Sequence, residues 1–284
     1  MKTNEHTPLF LKDILALLKK QKAKKVIDAT FGSGGHSFPL EKQGCEVLAL
    51  EWDEKMFARG QEQIRQTHSA ITLCCKNYAE IKEVACDQNF TLVDAVIFDL
   101  GLSLWQLRYG QRGFSFERDE KLDLRINSTL PKTAAELIND WNEEELIDYF
   151  TKYIEDQRSY QLAELTVREK KQKSISTVGD LWQLIHKLSL SNQEETKLMR
   201  KTLQGLRMIV NQEKQNLKHG LAGSLAILRP AGLLLMITFH SLEDRLVKLN
   251  FKNNKNIKLK QKPIQNRTYK FARGAKFRIY EKTS

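Results

Sequence analysis

Cysteine is scarce in this chain and poorly spaced for structural work. Its 284 residues include four cysteines, Cys45, Cys74, Cys75 and Cys86, with no C-x-x-C pair among them. That pattern argues against a disulfide scaffold and a cysteine-built zinc site, and it suits a reducing cytoplasm. Long apolar runs are missing too. The longest uncharged one, Ala231 to Phe239, is far below the roughly 20 residues that span a bilayer. The opening MKTNEHTPLF has neither a signal-peptide apolar core nor an Arg-rich transit pattern, and no internal repeat is evident. Acids are nearly absent from the last forty residues. From Arg245 to Ser284 there are nine Lys and four Arg against the single acid Glu281. The formal charge of +11 therefore belongs to the tail, because the remaining residues hold 33 bases and 34 acids. Such a tail favours an anionic partner, and with no apolar anchoring face beside it nucleic acid is favoured over a membrane.

What is present is enough for a sizeable core, since 41% of the residues are hydrophobic. The first hundred residues alternate apolar runs at 25–30, 46–51, 70–75 and 93–99 with helical patterns near 9–20, 54–67 and 78–87. This alternation predicts βαβ units and a mostly parallel sheet covered on both faces. From Gln106 to Lys201 strand-like runs vanish and helix starts recur, among them Thr133-Ala-Ala-Glu136, Asn142 before Glu143, and Thr177 with Asp180. A long amphipathic pattern from Leu203 to Leu228 follows, ended by Pro230 and Gly232. A buried strand at 232–239, a helix at 241–251 and a hairpin from 256–262 and 275–282 complete the chain. The expected organisation is an α/β core in two parts, 1–105 and 202–284, interrupted by a helical insertion at 106–201. Nothing here chooses between a monomer and a homodimer.

Chemistry-bearing residues collect at the ends of the predicted strands. After the first strand, Asp28-Ala-Thr-Phe-Gly32-Ser-Gly34-Gly35-His36 forms a glycine turn into a helix, which lets a ligand approach the backbone closely. A dinucleotide fingerprint needs its third glycine at Ser37, so NAD is disfavoured. Asp28 beside G-x-G-G instead suits S-adenosylmethionine, whose sulfonium and ammonium groups tolerate a carboxylate. Glu51, nineteen residues after Gly32, ends the second strand where it can accept ribose hydroxyls, and Asp53 is placed to do the same. Tyr78 after the third strand can stack on adenine or pack in the core. Asp99 ends the fourth strand, before Ser103 and Gln106. It can accept a hydrogen bond from an exocyclic amine and orient that amine's lone pair, or simply cap the next helix. Methyl transfer requires no metal. His240 and Glu243 leave the last core strand at the same sheet edge. The Phe114 and Phe116 pair, with Arg112 and Arg125, either grips a flipped-out base or packs a loop.

Together these motifs resemble the bacterial small-subunit (16S) rRNA cytosine-N4 methyltransferases, the RsmH or MraW family. The resemblance covers nearly the whole chain. It rests on His6-Thr-Pro-Leu9, the glycine turn, Asp99-Leu-Gly-Leu-Ser103, Arg112-Gly-Phe-Ser-Phe116, Leu122-Asp-Leu-Arg125, Gln204-Gly-Leu-Arg207 with Asn211, and Phe239-His-Ser-Leu-Glu-Asp-Arg245. It implies a Rossmann-like class I methyltransferase core with a substrate-recognising helical insertion. It also implies S-adenosylmethionine as donor and a cytidine N4 in the decoding region of 16S rRNA, within the small ribosomal subunit, as acceptor. By position, the implied cofactor contacts are Gly34, Gly35, His36, Glu51, Tyr78, Asp99 and Gln106, and the candidate catalytic residues are Asp99, Ser103 and His240. The chain departs from the family pattern with Glu51 for Asp, Tyr78 for Phe, Leu104 and Trp105 for Ser-Pro, and Arg108 for an acid. Tyr153-Ile-Glu-Asp156 and Tyr269-Lys-Phe-Ala-Arg273 are altered as well. Two alternatives follow: a ribosome-binding assembly factor with weakened catalysis, and an amino-methyltransferase of DNA. The DNA enzymes usually carry a D/N/S-P-P-Y/F signature, which Asp99-Leu-Gly-Leu lacks.

Overall fold

The computed structural model describes residues 8–266, 272 and 274–283. His6 and the Tyr269 to Arg273 motif lie outside these, Ala272 excepted. The chain divides into two compact units, Met1–Leu102 with Lys214–Ser284, and Ser103–Glu213.

The first unit is a doubly covered sheet. Its elements are α1 (Leu11–Lys20), β1 (Lys25–Asp28), α2 (Ser37–Lys42), β2 (Glu46–Glu51), α3 (Glu54–Thr67), β3 (Thr72–Cys75), α4 (Ile81–Asp87) and β4 (Val93–Asp99). The chain returns to it through α11 (Glu213–Ile227), β5 (Leu228–Thr238), α12 (Ser241–Phe251), β6 (Ile257–Leu259), β7 (Ile264–Gln265) and β8 (Lys276–Lys282). The strand order is β3-β2-β1-β4-β5-β8-β6, with β7 paired to β8. Strands β1 to β5 pair in parallel, and β8 runs antiparallel to β5. This is a Rossmann-like arrangement, with the mostly parallel sheet that the alternation of strands and helices predicts.

Alternation along each strand splits the core in two. Val26, Val47, Ala95, Ile97 and Leu235 face α1, where Ile14 and Leu18 are fully buried. Ile27, Leu48, Val96, Phe98 and Met236 face α4, α11 and α12. With both faces covered, the strands read as continuous apolar runs, and their polar residues are displaced to the ends.

Pro230 and Gly232 follow α11 as expected, but the strand placed at 232–239 starts earlier, at Leu228, so both residues lie within β5. The pairing with β4 shifts register there, Val93 opposing Leu228 and Ala95 opposing Leu233, and Ala231 adopts φ 60°. A bulge accommodates the proline, which has no N–H for the ladder. Opposite it, Asp94 accepts from the Lys24 and Lys25 amides at 2.7 and 2.9 Å and from Arg229 Nε at 2.6 Å. These bonds hold its carboxyl below the usual range against the opposing effect of burial.

The second unit holds α5 (Leu104–Tyr109), α6 (Ala134–Asp140), α7 (Glu143–Tyr149) running into a π-turn at Phe150–Ile154, α8 (Ser159–Lys170), α9 (Val178–His186) and α10 (Asn192–Val210). Thr133, Asn142 and Thr177 each form the expected capping box. The boundary placed at Lys201 falls inside α10, which starts at a further box, Ser191 with Glu194. The amphipathic pattern from Leu203 to Leu228 is two helices. They break at Asn211, whose buried side chain accepts from the Ile126 amide and donates to the Leu124 carbonyl, and at Gln212 with φ 50°. Among the described residues no helix is long and apolar enough to cross a membrane.

Replacing Asp94 with Ala strands two amide donors beside the bulge. It is expected to lower unfolding stability by about 1–2 kcal/mol, read from urea denaturation at neutral pH. The deficit should shrink only as the pH falls below the ordinary 3.8 and through the lowered folded value, where the wild-type carboxyl takes up its proton.

Candidate functional site

The C-terminal edge of the parallel strands brings together most of the predicted residues. Gly32 (φ 55°) and Gly34 (φ 74°) take left-handed backbone after β1, which turns the chain sharply. That turn aims the Gly32 amide at Glu51 Oε2, 2.9 Å away. A Cβ on Gly34 would lie 2.4 Å from the Phe38 ring, so the turn is tightly backed. The second Glu51 oxygen accepts from the Asp53 amide at 2.8 Å. Burial outweighs these two bonds and pushes the Glu51 carboxyl up to about 8.

Asp99 and His36 meet across the edge, with His36 Nε2 at 3.3 Å from Asp99 Oδ2. His36 is buried. Burial alone would lower its pKa, but the bond to Asp99 and the charges of Asp99 and Asp28 prevail and raise it. The backbone amide of Asp99 donates to Thr30 Oγ1 at 2.7 Å, fixing the end of β4 to the first-strand turn. Asp99 Oδ1 and His36 Nδ1 are buried and have no hydrogen-bond partner among the described residues. An acceptor left this way calls for an N–H or cationic donor from outside the chain. The carboxylates and the open backbone turn therefore fit a ligand carrying ammonium, sulfonium and ribose groups.

Several predicted roles change. Asp28 cannot face a ligand: it is fully buried, accepts from Ser37 Oγ at 2.6 Å and the Thr30 amide at 3.1 Å, and burial raises its pKa. Asp53 is no alternative to Glu51, because its carboxylate caps α3 through the amides of Lys55 and Met56. The Tyr78 ring, half-buried, sits edge-on to Phe98 at 5.5 Å and against Gly220 of α11. His240 caps α12, its Nδ1 accepting from the Glu243 amide at 3.3 Å. Its Nε2 lies 2.8 Å from Glu243 Oε1, off hydrogen-bond alignment.

In the second unit, Ser103 and Gln106 bond reciprocally as the capping box of α5. Arg112 donates to the carbonyls of Arg125 and Ile126, and Arg125 forks onto Asp123 while reaching the carbonyls of Ser128 and Leu130. Both arginines thus clamp a loop and do not form a phosphate grip. Phe116 stacks on Trp182 at 5.8 Å, with the Arg200 guanidinium over its ring. Among the described residues no cluster of His, Cys, Asp or Glu is arranged to hold a metal ion, and all four cysteines are free.

Residues that sequence reasoning passed over are Thr30 and Ser37, which fix Asp99 and Asp28. The strand-end Asp28 signals only its own turn with the Thr30 amide, because an Asp side chain bonds the backbone two residues on; the Thr30 hydroxyl meets an amide 69 residues away, which no local rule reveals.

The sequence profile of the MraW methylase family matches residues 3–282. The ribosomal RNA small subunit methyltransferase H of Thermomicrobium roseum is 37% identical over 250 residues, covering 87% of this chain and 77% of that protein. That of Symbiobacterium thermophilum is 34% identical over 251 residues, covering 87% and 79%. That of Dictyoglomus turgidum is 34% identical over 290 residues, covering 98% and 97%.

Glu51 supplies a pH test. Its folded pKa is raised above the ordinary 4.5, so the fold favours its protonated form. Stability from this group is complete below pH 4.5 and is lost as pH rises towards about 8. Urea midpoints of the ligand-free protein should fall across that window with a slope of at most about 1.4 kcal/mol per pH unit from this group. Glu51→Gln should remove that component; an unchanged slope would place the titration elsewhere.

Proposed function

The chain belongs to the MraW methylase family, and from that premise we propose that it methylates N4 of a specific cytidine in the decoding region of 16S rRNA, acting on the small ribosomal subunit. It is an S-adenosylmethionine-dependent rRNA methyltransferase; the acceptor atom and its place in the ribosome are the proposal. Such a substrate implies a cytoplasmic enzyme. The observation that carries the N4 reading is Asp99, with one oxygen held by His36 and the other buried without a donor.

When bound, S-adenosylmethionine supplies a methyl group on a positively charged sulfur, open to attack in line with the C–S bond. Glu51 is assigned to the ribose. Each of its oxygens, already accepting one amide, keeps a lone pair for a hydroxyl, and such donors favour its charged form. Gly34, Gly35 and His36 are assigned to the amino-acid end and Tyr78 to the adenine side. Gln106 and Ser103 keep their assignments from the family resemblance alone, and the helical unit is assigned to substrate recognition.

A cytosine amine is a weak nucleophile because its lone pair is delocalised into the ring. Asp99 Oδ1 accepts one N–H, rotating the lone pair out of conjugation towards the methyl carbon. As the N–C bond forms the amine becomes acidic, and Asp99 is placed to take its surplus proton. His36, its pKa raised, steadies the carboxylate on the opposite oxygen. The work asked of these residues is positioning and proton acceptance.

With 30S particles and a labelled methyl donor, nuclease digestion and mass spectrometry should place one methyl group on N4 of one cytidine. Asp99→Ala should lower the single-turnover rate by about 10²-fold or more, with cofactor binding followed by calorimetry as the control. A methyl on C5 or on the ribose, or full activity in that variant, would overturn the assignment.

A further inference from the structure

The thirteen basic residues from Arg245 onward do not form one pool. Lys258 and Lys260 both pair with Glu281, Lys258 Nζ at 3.2 Å from its Oε1. Lys276 and Arg278 hold Asp244 at 3.0 and 2.7 Å, and Lys282 donates to the Leu228 carbonyl at 2.7 Å. These five cations fasten α12, β5, β6 and β8 to one another. Lys248, Lys252 and Lys255 behave differently. All three are exposed, and their side chains form no ion pair or hydrogen bond among the described residues.

Their backbone is nonetheless rigid. The opposite face of α12 buries Asp244, Val247 and Phe251, with Phe251 against the Tyr280 ring at 4.9 Å. Lys248 and Lys252 are one helical turn apart on the outer face, about 6 Å along the axis. Beyond the helix, the Lys255 carbonyl accepts from Thr283 Oγ1 at 2.8 Å and the Asn256 carbonyl accepts from the Thr283 amide at 2.9 Å. The row thus starts from a helix whose first turn leaves the candidate site at His240, and it is held at both ends.

We propose that Lys248, Lys252 and Lys255 form a docking stripe for the phosphodiester backbone of the rRNA substrate, flanking the cytidine that is methylated. The inference rests on the rRNA reading above. Charge complementarity supports it: three unneutralised ammonium groups on a fixed backbone match a polyanion, while acids that would neutralise them, Asp244 and Glu281, are already engaged by other cations. The stripe supplies affinity and orientation and carries no base choice.

The test compares wild type, the triple variant K248Q/K252Q/K255Q and the control K258Q/K260Q, binding naked 16S rRNA and 30S subunits over a range of salt. Methylation is measured in parallel. The triple variant should bind both substrates more weakly, with a plot of log affinity against log salt shallower by about 2, given about 0.7 per phosphate contact on single-stranded RNA. KM for the rRNA should rise while kcat stays unchanged, and the control should keep the wild-type slope. A triple variant with the wild-type slope overturns the stripe while leaving the methyltransferase reading intact. A loss seen with 30S subunits and absent with naked rRNA overturns it in favour of a ribosomal-protein contact. Wild-type protein that labels no rRNA overturns the underlying reading itself.

Discussion

Burying a carboxylate requires donors, and the sheet edge of the first unit buries three of them, Asp28, Glu51 and Asp53. Nearly all the donors are backbone amides: Thr30 for Asp28, Gly32 and Asp53 for Glu51, Lys55 and Met56 for Asp53. The left-handed turn at Gly32 and Gly34 exists in this setting to aim an amide that an ordinary turn would direct elsewhere. Each carboxylate thereby fixes a loop, and the loops together fix where Asp99 and His36 stand. The arrangement explains why Glu51 remains raised: two neutral donors do not replace the water it has lost.

The parts legible in the sequence were those governed by local rules. Apolar runs announced β1 to β5 because a sheet covered on both faces leaves no polar side to interrupt them. Capping boxes at Thr133, Asn142 and Thr177 announced helix starts, since the cap is made within four residues. What could not be read was the direction of each acidic side chain. Asp28, Glu51, Asp53 and Asp99 are all acids at strand ends. One turns inward to Ser37, one holds the glycine turn, one caps a helix, and one keeps an oxygen free. These outcomes depend on partners up to 63 residues away, such as the contact of His36 with Asp99.

The same limit explains the errors. Asn211 breaks a helix through bonds to Leu124 and Ile126, more than eighty residues earlier, which no periodicity reveals. Arg112 and Arg125 looked like phosphate ligands by composition, yet guanidinium groups are also suited to gathering several carbonyls at once, and both do so. The tail's charge was correctly localised but its division was hidden. Whether a lysine is structural depends on an acid such as Asp244 or Glu281 on a neighbouring element.

His240 illustrates how a cap constrains chemistry. Its Nδ1 accepts from the Glu243 amide, so that nitrogen carries no proton, and the neutral ring holds its proton on Nε2. A histidinium has donors at both nitrogens and cannot cap. Accepting a proton in turnover would therefore release the first turn of α12, together with Glu243, whose Oε2 holds the Phe239 amide at 2.9 Å. Asp99 has no such conflict. One of its oxygens is held by His36 and the other is unengaged, and the end of β4 is fixed separately, through its backbone amide to Thr30. Of these two residues on the same sheet edge, Asp99 keeps a buried oxygen unengaged, and His240 holds the first turn of α12.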